Sequence, residues 1–270
     1  MTLRFGSKRA WRMTDLLLDP FTTSIQRGDT GRGRLWGLNL NLCSPPPSAL
    51  ARPYAQLVAA LRAGALGSPA FGAYFYPFPY LHITCAAPAP FTKCDVTLRE
   101  RPALVAAWAA ALSAAAQSGE LPAGPFPLVF GTPTLGRAAA IFPVEDPTGS
   151  VARTRAVITA CFETSAEVAG LPATLRERCC FSIPHIVHST FLRFGDVDGS
   201  AASGGGSREK DEVAAMRAEF EATAAGWQPI TVEAEALHLV EEVAAYMHLD
   251  LAGEDADKIV LSLPFGGGRE

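Results

Sequence analysis

Two short stretches, Tyr80-Leu81-His82-Ile83-Thr84-Cys85 and Val187-His188-Ser189-Thr190-Phe191-Leu192, decide how this sequence is interpreted. Each is mostly apolar or β-branched, and each carries a histidine followed two residues later by a threonine. Side chains alternate between the two faces of an extended strand, so His82 and Thr84 are expected on one face, as are His188 and Thr190. Two such strands facing one another would bring two imidazoles and two hydroxyls into one cleft.

The composition limits the classes of protein to which the chain can belong. Its 270 residues fit one large domain or two small lobes. The formal net charge of −4 argues against a protein that holds long nucleic acid mainly by charge. Residues 1–35, however, carry seven Lys/Arg against three Asp/Glu. We interpret residues 1–34 as a basic N-terminal arm, with a weak organelle-targeting segment as the alternative.

The cysteines and the apolar runs bear on the compartment. Six cysteines, at 43, 85, 94, 161, 179 and 180, show no C-x-x-C spacing, which favours a reducing compartment and a cytoplasmic location. No uninterrupted apolar run reaches about 20 residues, so no membrane span is expected. The sequence also lacks a P-loop, a G-x-S-x-G elbow and a dinucleotide-binding fingerprint.

The order of apolar patterns predicts an α+β protein with antiparallel sheets and flanking helices. Strands are predicted at 35–43, 71–85, 126–130, 138–144, 181–194, 230–240, 243–251 and 258–263, and helices begin near residues 53, 97, 151 and 207. We expect residues 35–265 to form a single bilobal domain. Residues 199–207 are predicted to be a flexible loop and residues 266–270 a disordered tail.

On its two motifs the chain resembles the 2H phosphoesterase superfamily, which includes LigT-like 2′–5′ RNA ligases and cyclic nucleotide phosphodiesterases. Members carry two His-x-Thr/Ser motifs on strands, and this sequence supplies His82-Ile83-Thr84-Cys85 and His188-Ser189-Thr190-Phe191. Many members have an arginine shortly after the second motif, and Arg193 occupies that place. The resemblance implies two lobes related by a pseudo-twofold axis around a central cleft. It covers residues 35–265 as an order of elements, but only about a dozen residues as motif, and Cys85 departs from the usual leucine-like residue.

The chemistry expected of these residues is phosphodiester hydrolysis. His82 and His188 would act as general base and general acid, needing neither metal nor cofactor. Thr84 and Thr190 would donate hydrogen bonds to phosphate oxygens, and Arg193 would add a charge-assisted contact. Arg193 stands five residues after His188, so a regular strand would turn it to the opposite face, and either a bulge or the end of the strand must intervene.

Several alternatives remain at this point. Each histidine, taken alone, is typical of a half-buried residue bonded to backbone, and each threonine is a good strand former. A zinc site built from His185, His188 and a cysteine is a further alternative. Tyr246, His248 and Asp250 are interpreted as pairs on one face of a strand.

The sequence thus predicts a metal-independent phosphodiesterase that hydrolyses a 2′,3′-cyclic phosphate or a related nucleotide or RNA-end linkage. A nucleotide- or RNA-end-binding domain without turnover is the alternative from another class. A 2′–5′ RNA ligase, which runs the same chemistry in reverse, is a third. The expected partner is a nucleotide or RNA end bearing a phosphate, and the chain is expected to be a monomer.

Overall fold

A computed structural model describes residues 16–196 and 210–266 of the chain. Residues 1–15 of the predicted basic arm, the predicted loop 199–207 and residues 267–270 of the predicted tail lie outside the described part. Within it, ten strands form two antiparallel sheets, accompanied by seven α-helices. The predicted α+β class with antiparallel sheets is confirmed.

The first sheet has four strands in the order β10-β9-β1-β3. Its strands are β1 (Gly37–Leu42), β3 (Ile83–Ala89), β9 (Ala236–Glu242) and β10 (Ile259–Pro264). The second sheet has the order β2-β7-β6-β4-β8, with β5 paired to β6 at its side. Its strands are β2 (Ala73–Phe75), β4 (Phe126–Phe130), β5 (Thr134–Leu135), β6 (Ala139–Glu145), β7 (His188–Phe194) and β8 (Ile230–Ala234).

The described ranges contain seven α-helices, and in the second of them the buried residues Tyr54, Leu57 and Leu61 recur at helical spacing. The helices are α1 (Pro20–Gln26), α2 (Ala51–Ala63), α3 (Arg101–Gln117), α4 (Ser150–Thr164), α5 (Ala166–Ala169), α6 (Ala173–Cys179) and α7 (Lys210–Ala224). Thr97 and Glu100 stand just before α3, where the backbone N–H and hydroxyl of Thr97 donate to the Glu100 carboxylate at 2.9 and 2.8 Å. No helix in the described ranges is long and apolar enough to span a membrane.

Each sheet buries one face against helices. On β1, the side chains of Leu38, Leu40 and Leu42 are fully buried in the core, and α3 and α4 contact the same sheet. On the second sheet, Phe142 and Phe191 pack against each other with ring centroids 4.6 Å apart. Because side chains alternate along a strand, the opposite faces carry the polar residues of the motifs.

The predicted strand at 243–251 is wrong. This segment forms a turn in which Tyr246 and Met247 have left-handed φ values of 53° and 56°. The backbone N–H of Met247 donates to the Glu242 carboxylate at 2.9 Å, and that of Ala245 donates to the Thr30 carbonyl at 2.9 Å. These backbone groups are therefore satisfied by a side chain and a distant loop, not by a neighbouring strand.

Further boundaries differ from the prediction. The strand predicted at 230–240 is divided into β8 of the second sheet and β9 of the first, and the strand predicted at 181–194 begins at His188. The helix predicted from residue 151 is interrupted at Ser165, whose extended backbone ends α4 and whose hydroxyl accepts from the Val168 N–H at 3.1 Å. The strand predicted at 71–85 is interrupted by a 3₁₀ turn at Phe78–Tyr80, because prolines 77 and 79 cannot donate to a ladder. Helices α1 and α6 had no counterpart in the prediction.

Candidate functional site

The two motifs begin neighbouring strands of different sheets. His82 directly precedes β3, the edge strand of the first sheet, and His188 is the first residue of β7, which lies between β2 and β6 in the second. Strands β3 and β7 contact each other. A positive charge on His188 lowers the pKa of His82, so the imidazoles lie within electrostatic range of one another. We call His82, Thr84, His188, Thr190 and Arg193 the motif site.

Both imidazoles are held in the same local way. Nδ1 of His82 bonds to the Tyr80 carbonyl at 2.9 Å, and Nδ1 of His188 bonds to the Ile186 carbonyl at 3.4 Å. In each case the acceptor is the carbonyl two residues earlier in the chain. A carbonyl only accepts, so each Nδ1 carries the proton in these bonds, and each Nε2 is left as the basic nitrogen of the neutral ring.

Both motif strands also bulge at the same place. In the pairing of β3 with β1, Cys85 is an extra residue immediately after Thr84. In the pairing of β7 with β6, Phe191 is an extra residue immediately after Thr190. Both extra residues are fully buried. A bulge of this kind re-aims the side chains that follow it.

The bulge in β7 returns Arg193 to the face occupied by His188 and Thr190. It is one of the two irregularities expected from the five-residue spacing, the other being the end of the strand. On that face, Nε of Arg193 donates to the Tyr76 hydroxyl at 3.0 Å, and the guanidinium lies 4.0 Å from the centre of the Tyr246 ring. Burial lowers the pKa of Arg193, but the neighbouring tyrosines and Asp19 outweigh it and raise the pKa overall. Arg193 therefore supplies a permanent, partly desolvated positive charge.

The pKa values of both histidines are shifted downward. Burial lowers the pKa of His82 to about 4, and the charges of His188, His248 and Arg193 act in the same direction. Burial also lowers the pKa of His188, assisted by Arg193 and Arg155. In both cases the bond from Nδ1 to a carbonyl opposes the shift. Both rings are therefore neutral at pH 7 in the free protein.

Arg155 is a residue of this region that was not singled out from the sequence. From α4 its Nε donates to the Cys85 carbonyl at 3.1 Å, and its Nη2 donates to the Ile186 carbonyl at 3.2 Å. One guanidinium thus joins the bulge of the first motif to the carbonyl that also accepts from His188. An arginine on the apolar face of the helix predicted from residue 151 was the available indication.

Aromatic side chains surround a third histidine, His248, which is buried. Its Nε2 bonds to the Tyr74 hydroxyl at 2.9 Å and its Nδ1 to the Ala245 carbonyl at 2.7 Å. Its ring lies 4.9 Å from that of Tyr80 and 5.1 Å from that of Tyr76, measured between centroids. Both ring nitrogens are hydrogen-bonded, so His248 holds the surrounding tyrosine rings in place. It is not the strand-face residue that was predicted.

A buried carboxyl lies next to the turn that carries Tyr246. Glu242 accepts from the Asn39 side-chain amide and from the Met247 N–H. Burial raises the pKa of Glu242 to about 8, against the opposing effects of these bonds and of the Arg193 charge. The carboxyl is therefore largely protonated at neutral pH.

The zinc alternative finds no support among the residues described. No group of three or more His, Cys, Asp or Glu side chains lies close enough to hold a metal ion in residues 16–196 and 210–266. His185 is exposed. All six cysteines are free thiols.

Comparison with known proteins leaves the family open. No family model matches the chain, and no curated protein matches it. The structure is similar to the crystal structure of TT0787 of Thermus thermophilus, with a TM-score of 0.45 and 13% identity over 86% of this chain and 100% of that one. A likeness of this degree identifies neither a fold family nor a function.

Proposed function

We propose that the chain is a 2H-type phosphoesterase, a metal-independent enzyme that hydrolyses a 2′,3′-cyclic phosphate or a related nucleotide or RNA-end phosphodiester. The observation that carries the proposal is the matched geometry of the two motifs. In each, the histidine Nδ1 bonds to the carbonyl two residues earlier, and one extra residue follows the threonine. Two independent structural histidines have no reason to share both features.

The finer architecture follows from the same proposal. The two sheets belong to two lobes related by a pseudo-twofold axis, with the motif strands β3 and β7 as counterparts. The cleft between the lobes contains the motif site. The pairing of β3 with β1 and of β7 with β6, each bulged after its threonine, supports this correspondence.

The different environments of the two imidazoles support different roles. The pKa of His82 is lowered to about 4, so His82 is neutral and is assigned the role of general base. In the proposed step, its Nε2 takes a proton from water as the water oxygen bonds to phosphorus. The bond from phosphorus to the leaving ribose oxygen then breaks, and the Nε2–H of protonated His188 donates a proton to that oxygen. A bound phosphate anion raises the pKa of His188 and so favours the protonated form.

The remaining residues stabilise the charge that develops on the phosphate. Thr84 and Thr190 follow their histidines by two residues and share their strand faces, so their hydroxyls are available to donate to non-bridging oxygens. Arg193 contributes a fixed positive charge close enough to lower the pKa of both histidines. Arg193 also binds the phosphate through a charge-assisted contact.

Hydrolysis of the four nucleoside 2′,3′-cyclic monophosphates in the presence of EDTA tests the proposal. We expect turnover to a nucleoside monophosphate that EDTA does not diminish. Loss of activity with EDTA would contradict the metal-independent step. Binding of nucleoside monophosphates without hydrolysis of cyclic or 2′–5′-linked substrates would replace the enzyme with a binding domain.

A further inference from the structure

A row of polar side chains crosses the first sheet from the motif site. Strand register places Thr84 of β3 opposite Asn41 of β1, Asn41 opposite His238 of β9, and His238 opposite Ser262 of β10. Residues directly opposite one another in an antiparallel sheet project from the same face. Thr84, Asn41, His238 and Ser262, which we call the polar row, therefore share the face of the sheet to which the motif threonine belongs.

The far end of the polar row opens into a cavity of about 610 Å³. His238 and Ser262 line it from the first sheet, and Thr231 and Glu233 line it from β8 of the second. The cavity, which we call the distal groove, is thus bounded by both sheets and has a volume in the range of small-molecule sites. Strands are spaced by about 4.8 Å, so the backbone at His238 lies about 10 Å from that at Thr84.

Two buried polar atoms of the row have no hydrogen-bond partner in the described structure. They are Oδ1 of Asn41, a residue with no exposed surface, and Nδ1 of His238. Buried polar atoms in native proteins are almost always paired. These two belong to directly opposed residues and are complementary if His238 is protonated at Nδ1. That tautomer leaves Nε2 of His238 as a hydrogen-bond acceptor.

The charge of the distal groove disfavours a phosphate and favours a ligand that carries hydrogen-bond donors. Glu233 and Glu235 are both exposed and both line it, and none of its described lining residues is lysine or arginine. Burial lowers the pKa of His238, which keeps its ring neutral at pH 7. The groove therefore offers carboxylate, imidazole and hydroxyl acceptors to a neutral ligand that carries hydrogen-bond donors.

We propose that the distal groove binds the nucleobase of the substrate and selects bases with an exocyclic amino group. This proposal rests on the proposed function, because it assumes that the substrate phosphate lies at the motif site. With the proton on Nδ1, His238 accepts at Nε2 from the amino group of adenine, cytosine or guanine. Uracil, which lacks an amino group, is the poorest base.

The test compares the four nucleoside 2′,3′-cyclic monophosphates with bis(p-nitrophenyl) phosphate, a diester without a base. In the parent protein, we expect kcat/KM for the 2′,3′-cyclic phosphates of adenosine, cytidine and guanosine to exceed that for uridine 2′,3′-cyclic phosphate by about tenfold. In His238→Ala this preference disappears, mainly through higher KM, and the loss on amino-bearing nucleotides exceeds the loss on the non-nucleotide diester. The exposed His185→Ala is the matched control and keeps the parental preference. Equal rates on all four nucleotides in the parent, or an unchanged preference in His238→Ala, would overturn the proposal.

Direct binding separates this proposal from the proposed function. If no phosphodiester is hydrolysed, calorimetry with free adenosine and uridine still tests the groove. Binding of adenosine that is stronger than that of uridine and is lost in His238→Ala supports the groove even without catalysis. Absence of adenosine binding, or adenosine binding that His238→Ala leaves intact, would contradict it.

Discussion

The two motif strands share a bulge after the threonine, but different groups bond to the carbonyl of the bulge residue in each. The first lies on β3 at the edge of its sheet, and the carbonyl of its extra residue, Cys85, accepts from the Arg155 side chain at 3.1 Å. The second lies on β7, which has strands on both sides, and the carbonyl of its extra residue, Phe191, accepts from the backbone N–H of Tyr76 at 2.9 Å. One bulge is therefore held by a replaceable side chain and the other by the backbone.

The two histidines differ in electrostatics as well. Arg193 lowers the pKa of both, whereas Arg155 lowers that of His188. A repeated motif does not imply repeated chemistry, because burial and neighbouring charge determine the pKa of each imidazole separately.

Removal of either imidazole should have the largest effect. We expect His82→Ala and His188→Ala each to lower kcat by about 10²–10⁴-fold on a 2′,3′-cyclic nucleotide, the range expected for loss of general acid or base catalysis. His185→Ala, which changes an exposed histidine near the second motif, is the control and should keep parental activity. Circular dichroism checks that each variant is folded. Parental turnover in either motif variant would remove that histidine from the mechanism.

Removing the charge of Arg193 or of Arg155 should shift the pKa values of His82 and His188 differently, and the pH dependence of kcat/KM reports these shifts. Arg193→Gln should raise the pKa of both His82 and His188, so both limbs of the plot of kcat/KM against pH should move to higher pH. Arg155→Gln should move only the limb due to His188. In the free enzyme the base must be deprotonated and the acid protonated, so the rising limb reports His82 and the falling limb His188. Both limbs of the parent should lie below pH 6.5, since both pKa values are lowered.

The charge-retaining variants Arg193→Lys and Arg155→Lys are the controls for these shifts. They preserve the positive charge while changing the hydrogen-bond geometry, so their limbs should stay close to those of the parent. A profile of Arg155→Gln in which both limbs move together would show that Arg155 does not distinguish the motifs.

A smaller effect, on the pH dependence of stability, is expected when the buried carboxyl of Glu242 is replaced. Its pKa is raised to about 8 in the fold from an ordinary 4.5. The stability associated with its neutral form is fully present below pH 4.5 and is lost as pH rises towards 8. Urea unfolding of the parent and of Glu242→Gln should therefore show the parent weakening relative to the variant between pH 5 and pH 8. Parallel pH dependences would contradict the raised pKa.

The sequence was sufficient to predict the α+β class and an irregularity, a bulge or the end of the strand, before Arg193. These predictions depend on short-range periodicity and on the spacing of a few residues, which local physics determines. The motif residues as a site remain a prediction, although the structure brings His82, His188 and Arg193 within electrostatic range.

Other features depend on contacts that the sequence does not display. The segment 243–251 has strand-like residues, but its backbone bonds to Glu242 and Thr30, which are not predictable neighbours. Arg155 was indistinguishable from a helix-face arginine until the carbonyls of Cys85 and Ile186 came together around it. The polar row likewise required the register of four strands from three distant parts of the chain.

The central claim is that His82 and His188 act on one phosphate. NMR titration of their imidazole Cε1–H resonances, assigned with the two alanine variants, tests it without turnover. In the free protein both rings should titrate below pH 6.5, with His82 lower, and saturation with a nucleoside monophosphate should raise both pKa values together. A phosphate that raises the pKa of one ring only, or of neither, would contradict the claim.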